Sequence, residues 1–226
     1  MEREPLKLVA PPPLLPPEHF LAGLAALGVT LDRAQLALMG DFLARLLAMN
    51  EQMNLTAITS PDEAWTRHAL DALSIVPELA HLRAGAKLID VGSGGGVPGI
   101  PLAIARPDME ISLVEATQKK AAFLVDVAAA LGLTNVRVYP ERAEELTGTD
   151  LAGTFDAVTA RAVGKMQALL PWTAPFARRH GKLLFIKGQR APEELLEAKK
   201  PIRRFHCVHE RTVQTTTGRL VVFRID

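Results

Sequence analysis

The residues with the clearest chemical potential form a glycine-rich turn. The apolar run Leu88-Ile89-Asp90-Val91 leads into Gly92-Ser93-Gly94-Gly95-Gly96-Val97-Pro98-Gly99, then Ile100-Pro101-Leu102-Ala103-Ile104. That is the order strand, glycine turn, helix. A turn without side chains lets a ligand lie against the backbone at the carboxyl edge of a sheet. Acidic Glu115 closes the next strand-like run, where a carboxylate can accept hydrogen bonds from ribose hydroxyls. These features fit a nucleoside cofactor.

A dinucleotide fold asks for G-x-G-x-x-G, with glycine where Val97 stands, and rests a pyrophosphate on the helix N-terminus. Pro98 removes one backbone donor from that turn, and no lysine follows the glycines as a P-loop requires. The order acid-x-Gly-x-Gly-x-Gly, Asp90 to Gly96, instead resembles the S-adenosyl-L-methionine (AdoMet) loop of Rossmann-like methyltransferases. That cofactor carries a sulfonium and an amino-acid tail in place of phosphates. An acid near the loop can then meet its ammonium directly or through water.

Methyl transfer from a sulfonium is an in-line displacement, so the protein chiefly aligns donor and acceptor. A base is needed only if the acceptor must lose a proton. The sole cysteine, Cys207, lies in the expected penultimate strand, away from the active edge, so it does not offer the nucleophile that pyrimidine C5 methylation needs. The turn after the fourth strand, Thr159-Ala160-Arg161-Ala162-Val163, lacks the Asp/Asn-Pro-Pro-aromatic pattern of exocyclic-amine methylation. A guanine ring nitrogen, with its ready lone pair, needs neither device. Arg161 ends strand four and Lys187 ends strand five beside it, which makes both candidate catalytic or substrate-holding cations. Arg142-Ala143-Glu144 follows strand three, a position where such folds hold an adenine.

The elements that must position these residues fall into two textures. Residues 18–84 are helical in pattern: Leu36, Met39, Leu43, Leu46 and Leu47 share one face of a helix over 32–50. Ser60-Pro61-Asp62-Glu63 starts another, expected to run to about Ile75 and to stop at Pro77. From residue 85 short apolar runs alternate with helical segments. Strands are expected at Lys87–Val91, Glu110–Glu115, Val136–Tyr139, Phe155–Ala160 and Lys182–Ile186. Helices are expected at 99–106, 117–131, 142–147, 165–178 and 192–200. Phe205–Val213 and Leu220–Ile225, joined by Thr215-Thr216-Thr217-Gly218, read as a closing antiparallel hairpin. The expected fold is α/β, a Rossmann-like, mostly parallel seven-stranded sheet with its last strand antiparallel. It divides into a proline-rich tail (1–17), an N-terminal helical cap (18–84) and a methyltransferase domain (85–226).

Composition narrows the class. With 226 residues, 48% hydrophobic and 23% charged, the chain is long enough for one large domain and too apolar for wholesale disorder. One cysteine excludes an intrachain disulfide and suits a reducing, cytoplasmic setting. No apolar run reaches the roughly 18 residues of a membrane span. His206-Cys207-Val208-His209 invites a metal reading, but strand alternation sets Cys207 opposite His206, so no metal is expected. Residues 178–226 hold twelve Lys/Arg against five Asp/Glu, a net +7 in a chain of net +1. That stretch is either a phosphate-facing patch or basic strand and helix ends.

Several motifs together carry a family resemblance from about residue 42 to Leu220-Val221-Val222-Phe223. They are Asn54-Leu55-Thr56-Ala57-Ile58, Arg67-His68-Ala69-Leu70-Asp71, the loop Asp90 to Pro101, Arg142-Ala143-Glu144, Ala160-Arg161-Ala162 and Ile186-Lys187-Gly188. The chain resembles the small-subunit rRNA guanine-N7 methyltransferases, the RsmG family once called glucose-inhibited division protein B. The resemblance implies AdoMet-dependent methylation of one guanine N7 in a loop of 16S rRNA, with 16S rRNA or the 30S subunit as partner. It implies no membrane and no stable protein partner. Carried over by position, Asp90, Gly92, Gly94 and Val97 belong to the cofactor loop, Glu115-Ala116-Thr117 meets the ribose, Ala143-Glu144 meets the adenine, and Arg161 lies in the cleft. The helix face of Arg67, His68 and Asp71 lines the substrate side, and RNA contacts are expected at Arg67, His68, Lys187, Arg190, Arg203 and Arg204. Val97 stands where Phe or Leu is expected, and Ala72 where a small hydroxyl often follows Asp71. Two rival readings remain at this point, an NAD(P) oxidoreductase with Glu115 on the ribose, and a non-catalytic RNA-binding module.

Overall fold

The computed structural model describes residues 11–161 and 164–226. The first ten residues of the expected tail, and Ala162-Val163 of the turn after Arg161, lie outside the described residues. Seven strands form one sheet: β1 (Lys87–Val91), β2 (Glu110–Val114), β3 (Val136–Tyr139), β4 (Phe155–Arg161), β5 (Ala177–Lys187), β6 (Cys207–Gln214) and β7 (Arg219–Ile225). Their order is β3-β2-β1-β4-β5-β7-β6. The first five pair in parallel, and β7 runs antiparallel to both β5 and β6. The strand order reverses between β1 and β4. At such a reversal the following helices leave to opposite faces and a crevice opens at the carboxyl ends.

Alternation along the strands builds two cores. Leu88, Ile111, Leu113, Ala157 and Leu184 face one side, whereas Ile89, Val91, Val158, Leu183 and Phe185 face the other. The helical N-terminal region belongs to the first core. Helix α1 (Glu18–Leu27) contributes Phe20, helix α2 (Arg33–Met53) contributes Phe42 and Leu43, and Trp65 packs its ring 4.5 Å from that of Phe20. The change of texture at 84/85 is therefore a change of secondary structure, with the packing continuous across it. Asp32 and Gln35 form a capping box at the start of α2. Of its expected apolar face, Met39, Leu43 and Leu46 are buried and Leu36 and Leu47 partly so.

Several boundaries differ from the sequence reading. The helix capped by Ser60 (α3, residues 61–73) ends at Leu73, and its residues Trp65–Leu70 wind as a π-helix. Pro77 does not stop it. That proline lies in the first turn of a separate helix, Val76–Leu79, where a missing N–H leaves no bond unmade. The helix expected over 165–178 is Met166–Thr173 followed by a 3₁₀ turn, Ala174–Phe176, and β5 begins at Ala177. The helix expected over 192–200 is two helices, Ala191–Glu197 and Lys199–Arg204; Pro201 lacks the N–H that a continuous helix would need there. β6 starts at Cys207 because His206 takes a left-handed backbone, φ 51°. His206 thus lies outside the strand, and strand alternation does not set it opposite Cys207. Cys207 is buried, and burial pushes its thiol up to about 12. Among the described residues no helix is long and apolar enough to cross a membrane.

Candidate active site

The glycine turn closes over the carboxyl end of β1, and Asp90 ties it shut from beneath. Asp90 is fully buried. Its Oδ2 accepts from the Gly99 amide at 3.1 Å, and its Oδ1 accepts from the Thr159 hydroxyl at 3.1 Å. Thr159 is its register partner on β4. The Ser93 hydroxyl donates to the Asp90 carbonyl at 2.9 Å. Burial pushes the Asp90 carboxyl up to about 6, opposed by these hydrogen bonds. A Cβ on Gly99 would run into Leu113 Cδ2 and stand 2.9 Å from Asp90 Oδ2, so any side chain there must displace one of them. Gly94, at φ 56°, takes the left-handed turn above. Asp90 thus holds the loop and does not itself line the cleft.

The cleft has a volume of about 420 Å³. Gly92, Gly94, Val97, Glu115, Ala116, Ala143, Glu144 and Arg161, all singled out by sequence, line it together with His68. Thr117 does not; its amide donates to Glu115 Oε1 at 2.7 Å at the head of the helix Gln118–Ala130. Glu115 Oε2 accepts from the Gly94 amide at 2.9 Å. Each of these oxygens keeps a second lone pair, so the carboxylate can still accept from a ribose hydroxyl. The lining also includes Leu46, Leu55, Lys120, Glu141 and Trp172, which the sequence reading did not assign. Glu141 adjoins an assigned turn, and its buried Oε2 has no hydrogen-bond partner among the described residues. An acceptor left open beside Ala143 fits a nucleoside that brings N–H or O–H donors. Trp172 arrives from the helix after β4, with nothing in its local sequence to mark it.

The far wall of the cleft is a hydrogen-bonded chain. Arg161 donates from Nη1 to the Arg67 carbonyl at 2.7 Å, and its Nη2 lies 3.0 Å from His68 Nδ1. A guanidinium has only donors, so Nδ1 accepts and the imidazole proton sits on Nε2. That nitrogen donates to the Thr56 hydroxyl oxygen at 3.0 Å, which also accepts from the Ile58 amide at 3.0 Å. Burial, helped by the charges of Arg161 and Arg67, lowers His68 to about 3, so the imidazole is neutral. Burial also draws the Arg161 guanidinium down, against the nearby Asp71 and Asp90 carboxylates. Among the described residues the remaining N–H groups of Arg161 and the Thr56 hydroxyl proton have no partner, so they can meet a ligand.

Beyond this wall lies a second pocket of about 340 Å³. It shares Thr56, His68 and Arg161 with the first and adds Arg67, Asp71, Lys187 and Thr217. Lys187 is 8% exposed and is already engaged: its Nζ donates to the Gly164 carbonyl at 2.6 Å and pairs with Glu194 at 2.7 Å. Arg190 is exposed at the same sheet edge but lines neither pocket. Arg203 and Arg204 close a helix that delivers the chain to the start of β6, and Cys207 pairs with Ile225 at the amino edge of the sheet. Arg178 pairs with Asp156 at that same edge, at 2.7 Å. The structure therefore does not gather the basic stretch 178–226 at the cleft, because β5 runs from the amino edge of the sheet, where Arg178 lies, to the carboxyl edge, where Lys187 lies.

Comparison with known proteins agrees with this architecture. The family model described as rRNA small subunit methyltransferase G matches residues 35–222. The chain is 61% identical over 223 residues to the ribosomal RNA small subunit methyltransferase G of Sorangium cellulosum (strain So ce56), covering 99% of this chain and 93% of that one. It is 39% identical over 207 residues to the protein of that name from Acidovorax sp. (strain JS42), covering 87% and 89%. Among solved structures, a SAM-dependent methyltransferase from Aquifex aeolicus superposes with TM-score 0.57 at 16% identity, covering 76% of this chain and 96% of that one. A SAM-dependent O-methyltransferase from Thermotoga maritima gives TM-score 0.57 at 15% identity, covering 80% and 71%. At such identities these two speak for the fold alone. The match to the family model and the close relatives set aside the oxidoreductase and passive-binder readings: this chain belongs to the rRNA small subunit methyltransferase G family.

Proposed function

We propose that the protein transfers a methyl group from AdoMet to N7 of a guanine in a loop of 16S rRNA, in the cytoplasm. AdoMet, when bound, supplies an electrophilic methyl carbon. In this reading Glu115 accepts from the ribose hydroxyls, the segment Glu141 to Glu144 borders the adenine, and Val97 packs beside the cofactor.

One observation carries the choice of acceptor. The imidazole on the wall between the pockets has both nitrogens engaged, one accepting from Arg161 and one donating to Thr56. It holds no spare lone pair to take a proton. Guanine N7 presents a lone pair and no proton, so attack needs no such base. The alkylated ring gains positive charge, and Arg161 does not neutralise it. Its open N–H groups suit O6 of the guanine or the cofactor carboxylate. Sequence-selective RNA recognition favours exposed loops, whose bases can be splayed into a pocket.

The test is methyl incorporation from labelled AdoMet into 30S subunits and into deproteinised 16S rRNA, followed by digestion to nucleosides. The expected product is 7-methylguanosine. Methyl groups on a carbon or an exocyclic amine overturn the reading.

A further inference from the structure

One carboxylate oxygen beside the second pocket is unaccounted for. Asp71 is 3% exposed and lines that pocket, not the first. The Thr217 hydroxyl donates to its Oδ2, and the Thr217 amide and Thr215 hydroxyl stand close enough to the carboxylate to oppose the rise that burial gives its pKa. Its Oδ1 is buried and has no hydrogen-bond partner among the described residues. A buried acceptor left unmade is costly, so such an atom marks where a donor belongs. The positions of its neighbours are also ordered. Asp71 and Thr217 belong to the second pocket alone, Arg161 and Thr56 to the wall shared by both, and the glycine loop to the first pocket alone.

We propose that the second pocket seats the guanine base and that Asp71 reads its Watson–Crick edge. This rests on the acceptor assignment above and extends it to the groups that recognise the base. Around a guanine the functional groups run in the order N2–H₂, N1–H, O6, N7. The two donors face Asp71, with Oδ1 free among the described residues to accept one of them. O6 then falls at the shared wall, against the open donors of Arg161 or Thr56. N7, on the far side of the base, turns toward the first pocket. Adenine reverses the edge, with an acceptor at N1 and a donor at N6, so both contacts become repulsive. The selection is built from Thr56, Asp71, Arg161 and Thr217, which come from four separate segments of the chain.

The experiment is calorimetric titration of the full chain, saturated with S-adenosyl-L-homocysteine, with GMP, IMP, XMP and AMP. IMP lacks the 2-amino group and XMP carries a carbonyl there. The wild-type protein is expected to bind GMP on the order of tenfold or more tighter than IMP, and AMP more weakly still. Asp71→Asn, which can accept from N1–H while donating to a 2-carbonyl, is expected to prefer XMP over GMP. Equal affinity for GMP and IMP, or no saturable GMP binding, overturns the inference. So does a D71N protein that retains S-adenosyl-L-homocysteine binding and still prefers GMP. If D71N does not fold, the wild-type nucleotide order decides alone. Failure here stays distinct from failure of the acceptor assignment: a protein that makes 7-methylguanosine yet binds GMP and IMP equally refutes only the role of Asp71.

Discussion

Asp90 and Asp71 are both buried carboxylates at the carboxyl edge of one sheet, and burial raises both from their ordinary value. They differ in what their oxygens meet. Both oxygens of Asp90 are engaged, by an amide of its own loop and a hydroxyl of the neighbouring strand. Asp71 is approached by donors of one hairpin turn distant in sequence, Thr215 and Thr217, yet its Oδ1 has no hydrogen-bond partner among the described residues. Burial and a raised pKa alone do not distinguish a structural acid from a binding one; the state of its lone pairs does.

The largest effect that can break this contrast comes from Asp90→Ala. It leaves a buried amide and a buried hydroxyl unpaired at the base of the loop. Urea denaturation is expected to show a loss of about 3 kcal/mol or more, with loss of S-adenosyl-L-homocysteine binding. Asp71→Ala is expected to cost no more than about 1 kcal/mol; equal losses at the two sites erase the distinction drawn here.

Arg161→Ala is next. It strips the donors from His68 Nδ1 and the Arg67 carbonyl, and from whatever the wall holds. Methyl transfer to 30S subunits is expected to fall by about 100-fold or more, while the unfolding free energy falls by no more than about 2 kcal/mol. Full activity would remove Arg161 from the site. Gly99→Ala should destabilise by roughly 1–3 kcal/mol, since its Cβ meets Leu113 and the Asp90 carboxylate inside contact distance. A wild-type melting temperature would show that the loop can yield.

His68 sharpens the contrast through pH. Its folded pKa, about 3, lies below the ordinary 6.5. Its contribution to stability is full above pH 6.5 and is lost as pH falls toward 3, with a limiting slope of about 1.4 kcal/mol per pH unit. Asp90 runs the opposite way: raised to about 6 from 3.8, it contributes stability that is present below 3.8 and lost as pH rises through 6. Comparing wild type with His68→Gln isolates the histidine. The stability gap between them should narrow as pH drops below 6.5, and a gap independent of pH would contradict the buried, neutral imidazole. The smallest effect is expected from Arg203→Ala with Arg204→Ala. At the sheet edge opposite the cleft, these changes should leave methyl transfer within about twofold, and a large loss would mean that RNA reaches around the sheet.

Much of the first pocket was legible because its parts are local in sequence. A strand, a glycine turn and a helix in succession announce a cofactor loop, and Glu115 announces itself by ending the next strand. The helix faces and the strand alternation were legible for the same reason: periods of about 3.6 and about 2 are properties of the chain itself. Boundaries were less so where a proline can either end one element or begin the next, as at Pro77. The basic stretch 178–226 stayed open between two readings because charge counted along the chain says nothing about which sheet edge each residue reaches.

By itself the sequence determined the class of fold, the position of the glycine loop and the family, since all three rest on residue types at short, fixed spacings. Only the tertiary structure decided that Asp90 fastens the loop from below, that Lys187 is consumed by Gly164 and Glu194, and that Thr56, His68, Arg161, Asp71 and Thr217 meet around one wall. Those pairings join residues as far apart as Asp71 and Thr217. Hydrogen-bond saturation between such distant partners depends on how sheet and helices pack, and no local pattern encodes it.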